Sequence, residues 1–242
     1  MSSLENLKSG LILIPTPIED SLPLEPVALE LLRDVAADPE SLILVEELKV
    51  ARIRWLRWGL PREAIERFIP FNEHTEGKNA ATPISEILNR LKSGARAVLM
   101  SDGGLPAFCD PGMKLVDACH SAGVRVTASP FPHSVSLALA LSGLDHRSFF
   151  FAGFLPASGE ERKRELEQIH QRQKQTIVLM DTPYRLKALL QSLAESPFKN
   201  RRTFLAVELN SPRESLHRGK PAEILSSLGG VEKAEFVVVI GA

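Results

Sequence analysis

Apolar runs of four or five residues alternate with amphipathic segments through the first half of the chain. The runs are Leu11 to Ile14, Leu42 to Val45, Ala97 to Met100 and Val124 to Ala128, and helical patterns cover 27–36, 50–58, 84–91 and 116–122. Strands that alternate with helices predict βαβ units and a mainly parallel sheet. The runs lack a polar alternation, which is typical of strands that helices cover on both faces.

The second half has a different order of elements. Its apolar runs are 148–151, 176–180, 203–207 and 236–240, with helical patterns near 160–173 and 184–195. One more strand, at Leu216 to Gly219, falls between two others with no helix before it, so this sheet is predicted to be mixed. The prolines of Pro130-Phe131-Pro132 can continue neither a strand nor a helix and mark a boundary. We predict two α/β domains, 1–129 and 130–242, with a cofactor cleft between them.

Composition narrows the class of protein. The 242 residues carry a net charge of −1 and are 44% hydrophobic, so a generally basic nucleic-acid coat is excluded while a local basic patch stays open. The first residues lack a secretory pattern and no apolar run reaches 18 residues, which favours a cytoplasmic location. Cys109 and Cys119 lack the companions of a zinc site, and we expect buried free thiols and no metal.

The segment 101–113, Ser-Asp-Gly-Gly-Leu-Pro-Ala-Phe-Cys-Asp-Pro-Gly-Met, follows an apolar run and is typical of a ligand loop. Its two adjacent glycines allow positive φ and a close approach to a ligand. Asp102 stands where open α/β sheets place ligand-binding groups. Alternatively, Asp102 caps its own turn. Asp110-Pro111 predicts the N-cap and first residue of a helix over 112–122.

The cofactor is predicted to lack phosphate. Neither G-x-G-x-x-G nor G-x-x-x-x-G-K-[ST] occurs, and the first loop, 15–20, is rich in proline and acids, which disfavours a pyrophosphate. S-adenosylmethionine fits these observations, because it carries a sulfonium and an ammonium and has no phosphate.

Six motifs in order then resemble the tetrapyrrole methylase superfamily and, within it, the ribosomal RNA small-subunit cytidine 2′-O-methyltransferases. They are Thr16-Pro17-Ile18, the loop from Ser101 to Gly112, Pro130-x-Pro132, Gly153-Phe154-Leu155-Pro156, Thr182-Pro183-Tyr184-Arg185-Leu186 and Glu235 to Ile240. The resemblance spans nearly the whole chain. It implies a homodimer of two-domain subunits that binds S-adenosylmethionine between the domains.

The resemblance also implies which residues contact the cofactor. They are Pro15, Asp102, Gly103, Gly104, Leu105, His133, Ser134, Met180 and Leu209. Each has a simpler alternative: Met180 and Leu209 can be core residues, and His133 and Ser134 can cap the helix that follows them.

Three departures from the family pattern concern the substrate. Glu19 replaces a glycine, Phe131 replaces the glycine of Pro-Gly-Pro, and Glu46-Glu47-Leu48-Lys49 stands for Glu-Asp-Thr-Arg. A ribose hydroxyl that attacks a methyl group must be aligned and lose its proton. The candidate bases are Glu46, Glu73 and His74, and Lys49 can lower the hydroxyl pKa. We favour Glu46 and Lys49 over the alternative that all four are surface residues.

A basic and aromatic cluster suggests where RNA binds. Arg52, Arg54 and Arg57 alternate with Trp55 and Trp58, and such side chains hold phosphates and stack on bases. Alternatively, the tryptophans pack inward and the arginines form the solvated face of a helix.

Two alternative functions stay open for the whole protein. It can be a cofactor-binding or RNA-binding paralogue that has lost catalysis, or it can methylate a tetrapyrrole or another small molecule.

The apolar run Phe149 to Leu155 indicates that the chain forms an oligomer. It offers more aromatic surface than one strand face can bury in a single sheet. A large apolar patch that stays open to water is unusual in a monomer. The sequence therefore predicts a two-fold symmetric homodimer.

Overall fold

The computed structural model describes residues 10–17, 22–72, 82–131, 133–157, 159–172 and 174–242. The chain divides into two compact units, Met1–Phe131 and Pro132–Ala242. These bounds lie two residues beyond the predicted domain limits. Each unit holds one five-stranded sheet, which confirms the prediction of two α/β domains.

The N-terminal unit alternates strands and helices, as the pattern of apolar runs predicts. Its elements are β1 Gly10–Ile14, α1 Pro26–Ala37, β2 Leu42–Val45, α2 Leu48–Arg57, β3 Phe68–Pro70, α3 Ile84–Lys92, β4 Arg96–Met100, α4 Met113–Ser121 and β5 Val126–Ala128. The strand order is β3-β2-β4-β1-β5, and each neighbouring pair is parallel. The sheet is therefore wholly parallel, and the carboxyl ends of its strands meet at one edge.

Helices cover both faces of this sheet. Ile12 and Ile14 of β1 pack in one apolar cluster with α1 and α2, whereas Leu11 packs in a second cluster with α3 and α4. Alternate residues of a strand point to opposite faces, so a strand between two helical layers is apolar at every position. This packing is the reason why the apolar runs are continuous in the sequence.

The C-terminal unit has a mixed sheet, as predicted. Its elements are α5 Ser134–Ser142, β6 Phe149–Phe154, α6 Gly159–His170, β7 Thr176–Met180, α7 Leu186–Ala194, β8 Thr203–Val207, β9 Ser215–Gly219, α8 Pro221–Ser227 and β10 Phe236–Ile240. The order is β6-β7-β10-β8-β9, with β6 and β7 parallel and the other pairs antiparallel. Helices α6, α7 and α8 pack on one face, and α5 contacts β8 and β10.

The strand β3 and the helix α8 were missing from the sequence prediction. The strand β3 has three residues and ends in a proline, so its pattern is too short to stand out. The helix α8 begins at Pro221, and the Glu223 side chain accepts a hydrogen bond from the Lys220 amide at 2.8 Å. A lysine before the helix is not one of the usual N-cap residues, so the sequence signature of a helix start is absent.

The start of α4 differs from the prediction. The helix begins at Met113, and Gly112 rather than Asp110 occupies the N-cap position. Gly112 has φ of 126°, and a Cβ there would lie 2.6 Å from Leu99 Cδ2. A side chain at position 112 would therefore collide with Leu99, and Asp110 lies in the loop before the helix.

Candidate functional site on each unit

Three loops follow the adjacent strands β1, β2 and β4 at the carboxyl edge of the N-terminal sheet. They begin at Pro15, Glu46 and Ser101. Parallel strands bring their carboxyl ends together, and open α/β sheets bind ligands at this edge. The predicted residues Pro15, Glu46 and Asp102 therefore follow neighbouring strands.

A pair of backbone hydrogen bonds joins the first loop to the glycine loop. The Thr16 amide donates to the Gly104 carbonyl at 2.9 Å, and the Gly104 amide donates to the Thr16 carbonyl at 2.9 Å. The buried Thr16 hydroxyl donates to the Ser101 carbonyl at 3.0 Å. Main-chain pairing of this kind fixes the distance between Pro15 and the residues that follow β4.

The buried Arg54 side chain also binds the first loop. Its guanidinium Nη1 donates to Thr16 Oγ1 at 3.1 Å and to the Pro17 carbonyl at 2.8 Å. The residue is 7% exposed. The structure thus corrects the prediction for Arg54, because a guanidinium that is buried under a loop is not presented to RNA.

The Glu46 and Asp102 carboxylates both accept hydrogen bonds from backbone amides of the neighbouring loop. Glu46 Oε2 accepts a hydrogen bond from the Asp102 amide at 2.9 Å, and Asp102 Oδ1 accepts one from the Glu47 amide at 3.3 Å. The Asp102 side chain therefore joins the second loop to the third instead of capping its own turn. The Glu46 carboxylate thus holds the Asp102 backbone amide, a contact that the sequence analysis did not predict.

The carboxyl groups at this edge have perturbed pKa values. Burial, and next the charge of Glu46, raise the pKa of Asp102 to about 6. Burial and the charge of Glu46 also raise the pKa of Asp110 to about 7, against the effect of a hydrogen bond with Ser101. Three acids thus share one electrostatic environment, which favours a cationic ligand.

The glycine loop leaves room beside these acids. Gly104 has φ of 92°, and a Cβ at this position would meet nothing within 4 Å. Gly103 and Leu105 are partly exposed. Ala107 and Cys109 also have positive φ, at 65° and 60°. Such conformations are costly for residues with a side chain and are concentrated at functional sites.

The outer face of α2 begins beside Glu46. Lys49, Arg52 and Arg57 are exposed on it, together with Ile53 at 50% and Leu56 at 41%. Trp55, in contrast, is fully buried and donates to the Pro61 carbonyl at 2.8 Å. The inward alternative is therefore confirmed for Trp55, and Trp58 is partly buried against the same core.

In the C-terminal unit, Met180 and Leu209 lie at one edge of the mixed sheet. Met180 ends β7 and pairs with Val237 of β10, while Val207 ends β8 and pairs with Phe236. Met180 and Leu209 are partly exposed, unlike the core residues before them. The fold thus brings together two predicted cofactor contacts that are 29 positions apart in the chain.

Arginines neutralise the acids at this second edge. Asp181, with a side chain that is 0% exposed, lies between Arg162 Nη2 at 3.8 Å and Arg185 Nη1 at 3.3 Å. Glu208 accepts from Arg213 at 2.9 Å and from the Glu235 amide at 3.0 Å. The sequence analysis missed Asp181 and Glu208, although Asp181 directly follows Met180 and Glu208 directly precedes Leu209.

Two further predicted contacts open α5. His133 occupies its N-cap position without a capping hydrogen bond from its side chain, and Ser134 is the first helical residue. Burial lowers the pKa of His133. Glu19, Glu73 and His74 lie outside the described residues.

An open depression of about 570 Å³ lies at the opposite, amino edge of the N-terminal sheet. Its lining includes Asp38, Glu40 and Arg90. The Arg90 guanidinium pairs with the Glu40 carboxylate at 3.5 Å, and the Asp38 carboxylate pairs with Arg96 at 3.1 Å, so these charged groups already have partners. The two carboxyl groups of this unit whose pKa values are raised by burial, Asp102 and Asp110, lie at the carboxyl edge of the sheet, and we propose the functional site there.

Cys109 is exposed and Cys119 is buried, so the prediction of two buried thiols is wrong for Cys109. Cys109 lies in the glycine loop, where its φ is positive at 60°. In the described parts of the chain, no helix is long and apolar enough to cross a membrane. The same parts contain no group of three or more His, Cys, Asp or Glu side chains arranged to hold a metal ion.

Comparison with known proteins identifies the class. The profile of the tetrapyrrole (corrin/porphyrin) methylases matches residues 60–225. The chain belongs to this family and is an S-adenosylmethionine-dependent methyltransferase.

Two relatives within the family have a more specific name. A protein of Thermotoga maritima named ribosomal RNA small subunit methyltransferase I is 32% identical over 89% of this chain and 90% of its own length. A protein of Escherichia coli O157:H7 with the same name is 30% identical over 98% of this chain and 79% of its own. The similarity therefore covers both units.

Solved structures agree on the fold. A diphthine synthase superposes with a TM-score of 0.65 over 96% of this chain and 89% of that chain, at 13% identity. A uroporphyrin-III-C-methyltransferase from Thermus thermophilus superposes with a TM-score of 0.50 over 96% and 93%, at 19% identity. At these identities the likeness concerns the fold alone.

The residues present fit the cofactor that the family implies. When bound, S-adenosylmethionine supplies an electrophilic methyl group on a positively charged sulfur. The acids at the N-terminal edge can attract its positive charges, and open space lies beside Gly104.

Proposed function

We propose that this protein methylates RNA, at a ribose 2′-oxygen of a nucleotide in the small-subunit ribosomal RNA. The observation that carries the proposal is the identity of 32% and 30% to two proteins named ribosomal RNA small subunit methyltransferase I, over 89% and 98% of this chain. A similarity that extends over the loops of both sheet edges supports a shared chemistry as well as a shared fold.

The proposed cofactor contacts are divided between the units. The N-terminal unit contributes Pro15, Asp102, Gly103, Gly104 and Leu105, and the C-terminal unit contributes His133, Ser134, Met180 and Leu209. The exchange of backbone hydrogen bonds between Thr16 and Gly104 supports the first set, because it orders the main chain on both sides of the loop. Ordered backbone lowers the entropy cost of binding.

Glu46 and Lys49 are the proposed catalytic pair. A carboxylate within hydrogen-bond reach of the ribose hydroxyl can accept its proton, and a nearby ammonium stabilises the developing oxyanion. Glu46 lies with Asp102 and Asp110 in one electrostatic environment. Lys49 is exposed in the first turn of α2, three positions beyond Glu46.

RNA is proposed to bind along the outer face of α2. Arg52 and Arg57 are exposed there, on the helix that begins beside Glu46. Guanidinium groups pair with phosphates in two hydrogen bonds at once, which suits an exposed basic face to a nucleic-acid backbone. Arg54 supports the first loop instead.

A cytoplasmic homodimer is proposed for the assembly. Phe149 and Phe154 are 45% and 48% exposed on β6, which is an edge strand of its sheet. An apolar edge strand can pair with another chain, and a stable interface would bury at least about 1,000 Å² in total. Light scattering at micromolar concentration tests this, and a mass near 26.6 kDa would contradict it.

Methyl transfer tests the proposed reaction. Small ribosomal subunits from a strain that lacks this gene are incubated with the protein and S-adenosylmethionine tritiated on its methyl group. We expect label in the small-subunit RNA, and nuclease digestion should recover it as a 2′-O-methyl nucleotide. The Asp117→Ala variant, altered at an exposed acid of α4, is the control that should retain full activity.

Isothermal titration with S-adenosylhomocysteine separates the alternatives. Cofactor binding without transfer to RNA or to a small molecule would favour a paralogue that has lost catalysis. Transfer to a tetrapyrrole but not to RNA would contradict the RNA substrate and retain the enzyme class.

A further inference from the structure

The most exposed aromatic side chain of the C-terminal unit follows a predicted cofactor contact by four positions. Tyr184 is 73% exposed. It lies in a single 3-10 turn, Pro183–Arg185, that begins just after β7 ends at Met180. The ring therefore offers an accessible aromatic face at the same sheet edge as Met180.

The turn that carries Tyr184 is rigid. The Thr182 amide donates to Asp181 Oδ1 at 2.8 Å, and Arg185 on the other side pairs with the same oxygen at 3.3 Å. The Ala234 amide donates to the Pro183 carbonyl at 3.3 Å and ties the turn to the segment before β10. The ring is therefore presented on a fixed support instead of a loose loop.

The ammonium of Lys233 lies over one face of the Tyr184 ring, with Nζ 4.4 Å from the ring centroid. Tyr184 and, more weakly, Glu235 raise the pKa of Lys233, so the ammonium stays charged. Because Tyr184 is 73% exposed even with Lys233 in place, the ring combines a stacking surface with a group that attracts phosphate.

From this geometry we infer that Tyr184 and Lys233 form a binding site for one nucleotide of single-stranded RNA, with the base stacked on the ring and the phosphate held by the ammonium. The inference rests on the proposed RNA substrate and assigns part of its recognition to the C-terminal unit. Bases in single strands stack on aromatic side chains without regard to sequence, because every base has a π-face. Tyr184 would thus hold a nucleotide near the target while other residues choose it.

The chain offers an unusually clean probe, because Tyr184 is its single tyrosine. Protein grown with 3-fluorotyrosine gives one fluorine resonance. We expect that resonance to shift and broaden when a single-stranded RNA of about 12 nucleotides is added, a length within the usual range of single-strand sites. S-adenosylhomocysteine alone should leave it in place.

Affinities for the same RNA give the size of the effect. Tyr184→Ala should weaken binding by on the order of ten- to a hundredfold, the range for the loss of one stacked base, while Tyr184→Phe keeps the ring and should stay within about twofold. Lys233→Ala should lower the slope of log affinity against log salt by about one. Leu216→Ala, at a 43% exposed apolar residue of β9, is the matched control.

The outcomes distinguish this inference from the proposed function. If the wild-type protein binds RNA and Tyr184→Ala binds it equally well, the site is refuted and the RNA substrate stands. If the wild-type protein binds S-adenosylhomocysteine but no RNA, both are refuted. A Tyr184→Ala variant that changes the oligomeric mass without RNA would also refute the site, because the ring would then contact a second copy of the chain.

Discussion

The two sheet edges use the same kind of residue in opposite ways. At the N-terminal edge, Asp102 and Asp110 share one environment with Glu46, and their pKa values are raised to about 6 and about 7. At the C-terminal edge, Asp181 lies between two arginines and Glu208 pairs with a third. One edge thus keeps negative charge for a ligand, and the other has most of its charge neutralised within the protein.

The difference follows from what each set of acids supports. Glu46 and Asp102 accept hydrogen bonds from backbone amides of neighbouring loops, so these carboxylates order the loops. Their negative charges still act on one another, because the charge of Glu46 contributes to the raised pKa of Asp102. Asp181 is fully buried, and a buried carboxylate requires a cation beside it. A charged ligand suits the first edge, and apolar contacts such as Met180 suit the second.

Removing the buried carboxylate should have the largest effect. Asp181→Ala leaves Arg162, whose side chain is 7% exposed, without its counter-charge. We expect the free energy of unfolding to fall by about 3–5 kcal/mol, measured by urea denaturation with circular dichroism. Asp145→Ala, which breaks an exposed pair with Arg147, should change stability far less. Equal effects of the two variants would contradict the contrast between the edges.

Removing a carboxylate of the first edge should affect the ligand more than the fold. Asp102→Ala should weaken S-adenosylmethionine binding by about 1–3 kcal/mol, the range for a lost hydrogen-bonding partner, as measured by isothermal titration. Asp117→Ala removes an exposed acid of α4 and should bind as the wild type does. A loss of affinity in both variants would indicate a general charge effect.

The pH dependence distinguishes the edges further. Because burial raises the pKa of Asp102 and Asp110, these groups ionise in the native protein at a higher pH than in the unfolded chain. Their contribution to stability is present below about pH 4 and is lost as the pH rises through about 6 to 7. The ionised groups attract the cofactor, so its affinity should rise over that window, by on the order of tenfold for each unit by which the bound cofactor lowers these pKa values.

Titrations of S-adenosylmethionine between about pH 5 and about pH 8 measure this rise. The double variant Asp102→Asn, Asp110→Asn should show a flatter profile. Glu46→Gln keeps an oxygen that accepts the Asp102 amide but removes a charge that raises both pKa values, so it should move the profile to lower pH. A wild-type profile that is flat over the window would contradict the electrostatic account.

The smallest effect is expected on the outer face of α2. Arg52→Ala and Arg57→Ala should each weaken RNA binding by under about 1 kcal/mol at moderate salt and reduce the salt slope by about one. Arg54→Ala should instead weaken cofactor binding, because Arg54 supports Thr16 and Pro17. If all three variants change the salt slope equally, the inward orientation of Arg54 does not hold in solution.

Much of the fold is present in the pattern of residues. The continuous apolar runs predict a parallel sheet under two helical layers, and the strand at Leu216 to Gly219 predicts a mixed second sheet. The pattern failed where an element is short, as at β3, or where one residue has two possible uses. Asp110 stands before a proline and so has the residue types of a helix start. In the structure, α4 begins later, at Met113, and Asp110 lies in the loop, where the charge of Glu46 acts on it.

The sequence by itself determined the class of fold, the glycine loop after β4 and the family, because apolar periodicity and ordered motifs are local properties of the chain. The tertiary structure decided which charged side chains are exposed and which are buried or paired within the protein. Arg54 and Trp55 are neighbours in a basic and aromatic cluster, and both turn inward once α2 packs on the sheet. Arg162 lies 19 positions before its partner Asp181, and Glu46 lies 56 positions before its partner Asp102. Electrostatic environment depends on such long-range contacts, and for that reason it was absent from the linear pattern.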